Sequence, residues 1–202
     1  MRLINLELEN FRAFRGQQQL SFASGKNGNV TVLYGNNGAG KTTLLKLAGG
    51  ALLPARGAIR LNDIDSGFMP LAYRALAFYC GGDAPALPWL QVHEFLDLHL
   101  ALYPGSDQAL LNDELSAFSL LPTLQQSITA LSLGQHKKLQ LALALALPVR
   151  LLLIDEPFNG LDAAAMAHLR ARLAEPDRLA RQCIVLTSHL APDVPLAATV
   201  EI

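Results

Sequence analysis

The stretch LYGNNGAGKTTLLKLAGG, Leu33 to Gly50, decides how the rest of the chain is read. Gly35, Gly38 and Gly40 crowd against one lysine, Lys41, and Thr42 and Thr43 follow before an apolar, helix-like run. The eight positions Gly35, Asn36, Asn37, Gly38, Ala39, Gly40, Lys41 and Thr42 fit the pattern G-x-x-x-x-G-K-[ST]. A phosphate chain needs many N–H donors converging on it, and a loop can wrap it only where side chains do not intrude. A helix that starts where the loop ends adds its positive end. In this pattern Lys41 reaches the β- and γ-phosphates and the Thr42 hydroxyl holds Mg²⁺. The bland alternative is a glycine turn between a strand and a helix. The complete match, placed after the apparent strand VTVLY and before the apparent helix TTLLKLAGG, argues against it.

Composition narrows the class. The chain has 202 residues, 51% of them hydrophobic and only 16% charged, which is one domain's worth of sequence with an apolar bias. A net charge of −1 gives no bulk electrostatic case for nucleic acid or anionic lipid. The two cysteines, Cys80 and Cys183, are far apart and in no metal-ligand spacing, so a disulfide framework is not expected and a reducing cytosol is. The start MRLINLELENFRAF carries acids and polar residues where a signal peptide would need an apolar core. No run approaches the ~18 apolar residues that span a bilayer. The longest candidate, LALALALPVRLLLI, is broken by Pro148 and Arg150.

Periodicity gives the order of elements. RLINLELENF, QQLSF and NVTVLY alternate apolar and polar positions and read as strands. Residues 41–50 read as a helix, GAIRLND as a short strand, and ALAFYC as another. From Leu87 to Leu147 the pattern is mostly helical, cut into about three pieces by Pro104-Gly105 and Pro122. VRLLLID is a continuous apolar strand of the kind buried on both faces of a parallel sheet, AAAMAHLRARLAE a helix, and QCIVLTSH a second buried strand. The sequence therefore predicts a β-rich start, a βα unit, a helical insertion and an α/β finish.

Two further sites follow from chemistry. LLLIDEP places Asp155 and Glu156 at the end of a buried strand, the edge at which α/β sheets bind ligands. Beside a phosphate cradle, Asp155 would enter the magnesium shell and Glu156 would orient or deprotonate the attacking water. LSLGQHKKLQLALAL opens a helix with Ser132 and Gln135 in an S-x-x-Q capping pattern; by chemistry alone it is only a helix start.

Together these stretches resemble the ATP-binding-cassette (ABC) ATPases. GNNGAGKT resembles that family's Walker A, LLLIDEP its Walker B, LSLGQ its LSGGQ signature, NGLD its D-loop and TSH its switch region. Lys41, Ser132, Asp155 and His189 come in the family's order and at its intervals, so the resemblance covers nearly the whole chain. It implies an α/β fold of the P-loop NTPase kind, with a mostly parallel central sheet, an N-terminal antiparallel β subdomain and an inserted α-helical subdomain. It implies one domain over 1–202: a core from 1–86 and 148–202, and a helical subdomain from 87–147 bearing the signature. ATP and Mg²⁺ are the implied cofactors. Two subunits would sandwich the nucleotide head to tail, each offering the other its signature residues Ser132, Gly134 and Gln135, with Asp162 coupling the sites across the interface. His189 would contact the γ-phosphate, and an aromatic near the N-terminus, Phe11 or preferably Phe14, would stack on adenine; either could equally be plain core.

Three features depart from the family. Leu133 stands where the signature usually has glycine, and its bulk could crowd the phosphate or weaken the closed dimer. The glutamine expected after ALAFYC is missing; Gly82 or Asp83 holds its place, and Gln91 lies too far along to substitute. The start LENFRAFRGQQQLSF is similar to the soluble DNA-repair branch of these ATPases.

The resemblance favours the ATP-hydrolysing subunit of a transporter, paired with a separate transmembrane permease and a second ATPase copy. It would sit in the cytoplasm, peripheral on the inner face of the membrane. Such a compact subunit is similar to small exporter ATPases, the haem-exporter type of cytochrome c maturation among them. A DNA-associated ATPase is the alternative, but the stretch between Lys41 and Ser132 leaves no space for long heptad arrays and there is no basic face, so no nucleic acid partner is expected. A regulatory subunit with little turnover is the other: Leu133 and the missing glutamine favour it, Glu156 and His189 oppose it.

Overall fold

A computed structural model describes residues 5–11, 14–21, 29–54, 56, 58–82, 87–189 and 192–202, the first two segments by backbone alone. β1 (Asn5–Phe11) and β2 (Phe14–Ser21) form an antiparallel pair in which Phe11 stands opposite Phe14. Of the aromatic candidates for adenine, only the backbone is thus placed; the Phe11 and Phe14 side chains lie outside the described residues, as does all of Asp83.

β3 (Val30–Tyr34) leads into α1 (Lys41–Ala48). A small antiparallel hairpin follows: β4 (Arg60–Leu61), the short strand expected within GAIRLND, pairs with β5 (Ile64–Asp65) just beyond that stretch. Asn62, at φ +55°, makes its turn. Next come α2 (Pro70–Arg74) and β6 (Ala77–Cys80). The stretch read as helical resolves into α3 (Val92–Leu102), α4 (Gln108–Ala117), two 3₁₀ turns and α5 (Leu133–Ala146). The chain closes with β7 (Leu151–Ile154), α6 (Ala163–Leu173), α7 (Pro176–Arg181), β8 (Cys183–Thr187) and β9 (Ala198–Glu201).

Five strands make one parallel sheet in the order β6-β7-β8-β3-β9. Alternation along each strand splits the core in two. Val30, Val32, Leu152, Ile154, Ile184 and Leu186 face one side, with α5; Leu33, Leu151, Leu153 and Val185 face the other, with α1. α5 is apolar all round because both its faces are covered: every residue from Leu139 to Ala146 is buried. Each such leucine contributes about 1.5–3 kcal/mol of burial.

Polar anchors join the helical stretch to the sheet. The Glu114 carboxylate on α4 is 1% exposed and accepts from Arg172 Nε at 2.5 Å and lies 2.7 Å from His168 Nε2, both on α6. Buried Arg178 has no carboxylate partner among the described residues. It donates to Leu145 O at 2.7 Å, at the negative end of α5, and to Gln182 Oε1 at 3.0 Å. The fold positions the site by one feature above all: β8 lies between β3 and β7, so the loops after all three strands open at the same edge.

Candidate active site

The glycine loop follows β3 and turns into α1 through Gly40, which caps the helix at φ 100° and ψ 8°, a left-handed conformation that favours glycine. No side chain caps this helix, so its first-turn N–H groups point out of the loop. Gly35 is fixed by close approach, because a Cβ there would meet the Ile202 carbonyl oxygen at 2.5 Å. Lys41 is 7% exposed and curls across the loop, donating to Gly35 O at 2.5 Å and Asn36 O at 3.2 Å.

Asp155 and Glu156 follow β7. Asp155 N–H donates to Cys80 O at 2.8 Å, which anchors the turn to β6. The Asp155 carboxylate accepts from Thr42 at 2.6 Å, from Thr187 at 2.7 Å and from Tyr79 at 3.3 Å. Glu156 adopts φ +48°, a left-handed conformation that costs a non-glycine residue about 1–3 kcal/mol unless its surroundings hold it. Its N–H donates to Thr187 Oγ1 at 2.8 Å, and Lys137 donates to its carbonyl. His189 Nε2 lies 3.1 Å from Glu156 Oε1, yet off hydrogen-bonding geometry, so this buried oxygen has no hydrogen-bond partner. The other oxygen, Oε2, accepts from the Asn159 side-chain amide at 3.4 Å, so the carboxylate is held between Asn159 and His189.

These groups line one cleft of about 490 Å³: Asn36, Asn37, Gly38, Gly40, Lys41, Thr42 and Thr43 from the loop, Asp155 and Glu156 from β7, and His189 after β8. The volume is that of a small-ligand site. Gly82 lines it too, whereas Gln91 is spent as the N-cap of α3 in a capping box with Glu94. Ser132, Gly134 and Gln135 do not line it. They form the tip of α5, where Ser132 and Gln135 cap each other reciprocally and Leu133 is 93% exposed. Asp162 also stands apart, capping α6 and paired at 2.5 Å with Lys138, which holds its carboxyl below the usual range.

The sequence reading missed four contributors. Lys137 and Asn159 line the cleft, and Thr187 and Tyr79 hold Asp155. Burial holds the Lys137 ammonium below the ordinary lysine range, opposed by the charges around it. Thr187 was visible in TSH, but nothing in sequence says that its hydroxyl faces β7.

A strand–loop–helix phosphate cradle and two carboxylates on one parallel-sheet edge raise the question of kinship. A family model described as ABC transporter matches residues 18–159. The chain belongs to the ABC transporter family. The cytochrome c biogenesis ATP-binding export protein CcmA of Paramagnetospirillum magneticum is 35% identical, over 83% of this chain and 78% of the relative. The taurine import ATP-binding protein TauB of Pseudomonas syringae pv. tomato is 34% identical, over 94% and 69%. A solved ATP-binding subunit of an ABC transporter superposes with a TM-score of 0.79 at 28% identity, covering 93% of this chain and 78% of that one. The chain is accordingly an ATP-binding, ATP-hydrolysing subunit of this family, and its fold is the P-loop NTPase fold that the sequence predicts.

One consequence for this ABC ATPase concerns Thr187. Thr187→Val keeps the shape but leaves the Glu156 N–H and one Asp155 oxygen unsatisfied in a buried position. The expected loss is about 1–3 kcal/mol, or ~3–10 °C in the melting temperature of a chain this size. Thermal unfolding followed by circular dichroism checks it; an unchanged melting point would show that these bonds contribute nothing net.

Proposed function

We infer that this subunit drives a separate transmembrane permease, pairing head to tail with an identical copy so that each nucleotide lies between the cleft of one subunit and the α5 tip of the other. The observation that carries the reading is the split of polar groups. Lys41, Thr42, Asp155, Glu156 and His189 converge on one cleft, while the Ser132-led helix start lies outside it and is exposed. A helix N-terminus and a serine hydroxyl are suited to solvate a γ-phosphate from its far side.

Within the cleft, the loop N–H groups and Lys41 would hold the β- and γ-phosphates. Thr42 and Asp155, whose side chains are joined by a 2.6 Å hydrogen bond, would be the residues that hold Mg²⁺. Among the described residues no cluster of three His, Cys, Asp or Glu side chains forms a cage for a metal, as befits an ion bound largely through phosphate oxygens. When bound, Mg²⁺ neutralises charge on those oxygens. The Glu156 carboxylate would take the proton of the attacking water, and His189, 3.1 Å from it, would contact the γ-phosphate. Phe14 serves as the adenine platform, and Asp162 couples the paired sites.

The helical stretch 87–147 is the proposed docking lobe for the permease. It exposes Trp89, Leu98, Leu102 and Leu121, apolar side chains that a partner could cover. Docked on such a permease, the subunit would lie peripherally on the inner face of the membrane; among the described residues no helix is long and apolar enough to cross one. The relatives include an exporter and an importer component, and direction belongs to the permease.

Mixing two inactive variants tests the pairing. Lys41→Ala breaks each subunit's cleft and Ser132→Arg blocks each subunit's tip, so each variant alone should be inactive. A mixed dimer keeps one intact composite site, and phosphate release should reappear on mixing at a substantial fraction of the parent rate per mixed dimer. Persistent inactivity of the mixture, with both variants folded and associated, would refute the head-to-tail arrangement.

A further inference from the structure

Glu156 is tethered by its backbone on both sides. Its N–H donates to Thr187 Oγ1 at 2.8 Å. Its carbonyl accepts from the Lys137 ammonium, which also reaches the Asp155 carbonyl at 3.4 Å. Between these tethers the residue keeps φ +48°, a conformation a glutamate leaves readily once released. Lys137 belongs to α5, the helix that begins at Ser132, and is half-buried along the cleft wall rather than solvated. An ammonium has three donors and no acceptor, so it can hold two carbonyls at once and cannot be satisfied by a neighbouring N–H.

We propose that Lys137 is a positioning residue for hydrolysis: it fixes the peptide of Glu156 so that the carboxylate is held in the cleft beside His189, where the attacking water would lie, and it ties that carboxylate to the helix whose tip serves the neighbouring subunit. The proposal rests on the reading of Glu156 as the base. One chain contributes to two nucleotide sites, its cleft to one and its α5 tip to the other. Lys137 joins these contributions within the chain. Engagement of Ser132 at one site is thereby felt by Glu156 at the other.

The alternative is that Lys137 contacts phosphate directly, and the two differ in what they cost. A positioning residue sets kcat; a phosphate ligand sets affinity. Lys137→Met should lower kcat at least roughly tenfold, the scale of loss from a displaced catalytic group, with the ATP dissociation constant within about twofold of the parent. Lys137→Arg should recover most of the rate. In a Glu156→Gln background Lys137→Met should bring no further loss. The Asn159 amide, which donates to Glu156 O at 3.3 Å, should exchange its hydrogen faster in Lys137→Met. Lys137→Gln serves as the second variant should Lys137→Met melt early.

A parent-like kcat in Lys137→Met overturns the proposal. So does a fall in ATP affinity large enough to account for the lost activity. The two readings separate cleanly: if Glu156→Gln itself turns over normally, the base assignment fails, whereas an inactive Glu156→Gln beside a fully active Lys137→Met removes only the role of Lys137.

Discussion

Glu156→Gln should release phosphate about 10²–10⁴-fold more slowly than the parent, the usual range for losing a general base, while binding ATP as well or better. The substitution keeps shape and removes the negative charge. The carbonyl held by Lys137 and the N–H held by Thr187 are backbone groups, so the turn survives. What is lost is the carboxylate's charge, and with it the basicity that the proposed proton transfer needs. With chemistry stopped and binding intact, ATP should hold two subunits together, and the mass of the complex in ATP and Mg²⁺ should double. Phosphate release with light scattering reads both effects. Turnover at the parent rate would remove Glu156 from the chemistry.

Lys41→Ala attacks the earlier step and should weaken ATP binding by about 10²-fold or more. Charge-assisted hydrogen bonds from an ammonium contribute about 1.5–3 kcal/mol each, and a phosphate chain would receive more than one. Lys41 is nearly buried, so its charge acts with little screening by water. Its bonds to Gly35 O and Asn36 O also brace the loop, and the alanine variant loses that brace as well. Titration calorimetry with a slowly hydrolysed ATP analogue gives the affinity directly. Near-parent affinity would mean that the loop N–H groups alone hold the phosphates.

The long apolar runs were the most legible part of the sequence. LLLI and CIVLT, read as buried strands, and VTVLY, read as an alternating one, are all buried on both faces and became neighbouring parallel strands, whereas the equally apolar residues 141–146 form the buried end of α5. The phosphate loop was legible because glycine, lysine and threonine have few other reasons to share that spacing. Short elements were not. α2 and α7 each begin at a proline that reads from sequence as a breaker but sits at a helix's first turn, where its missing N–H costs nothing. β9, short and half-exposed, is recruited by pairing with β3. Within the site, residues carried by one local motif were readable. Thr187, Tyr79 and Lys137 were not, since their importance comes from strand order and helix packing, which bring distant segments against β7.

α5 runs unbroken from the exposed Ser132 cap to Ala146 deep against the sheet, with its last eight residues enclosed on every side. A rod wedged so firmly at one end has little freedom to tilt on its own. Pressure on its outer end must be relieved by sliding along its axis or by carrying its neighbours with it, and Glu114 with Arg172 and His168 fastens those neighbours into the same block. A push on the outer end of α5 should therefore displace several helices together, a property to be sought in the stiffness of the whole block rather than in any single contact.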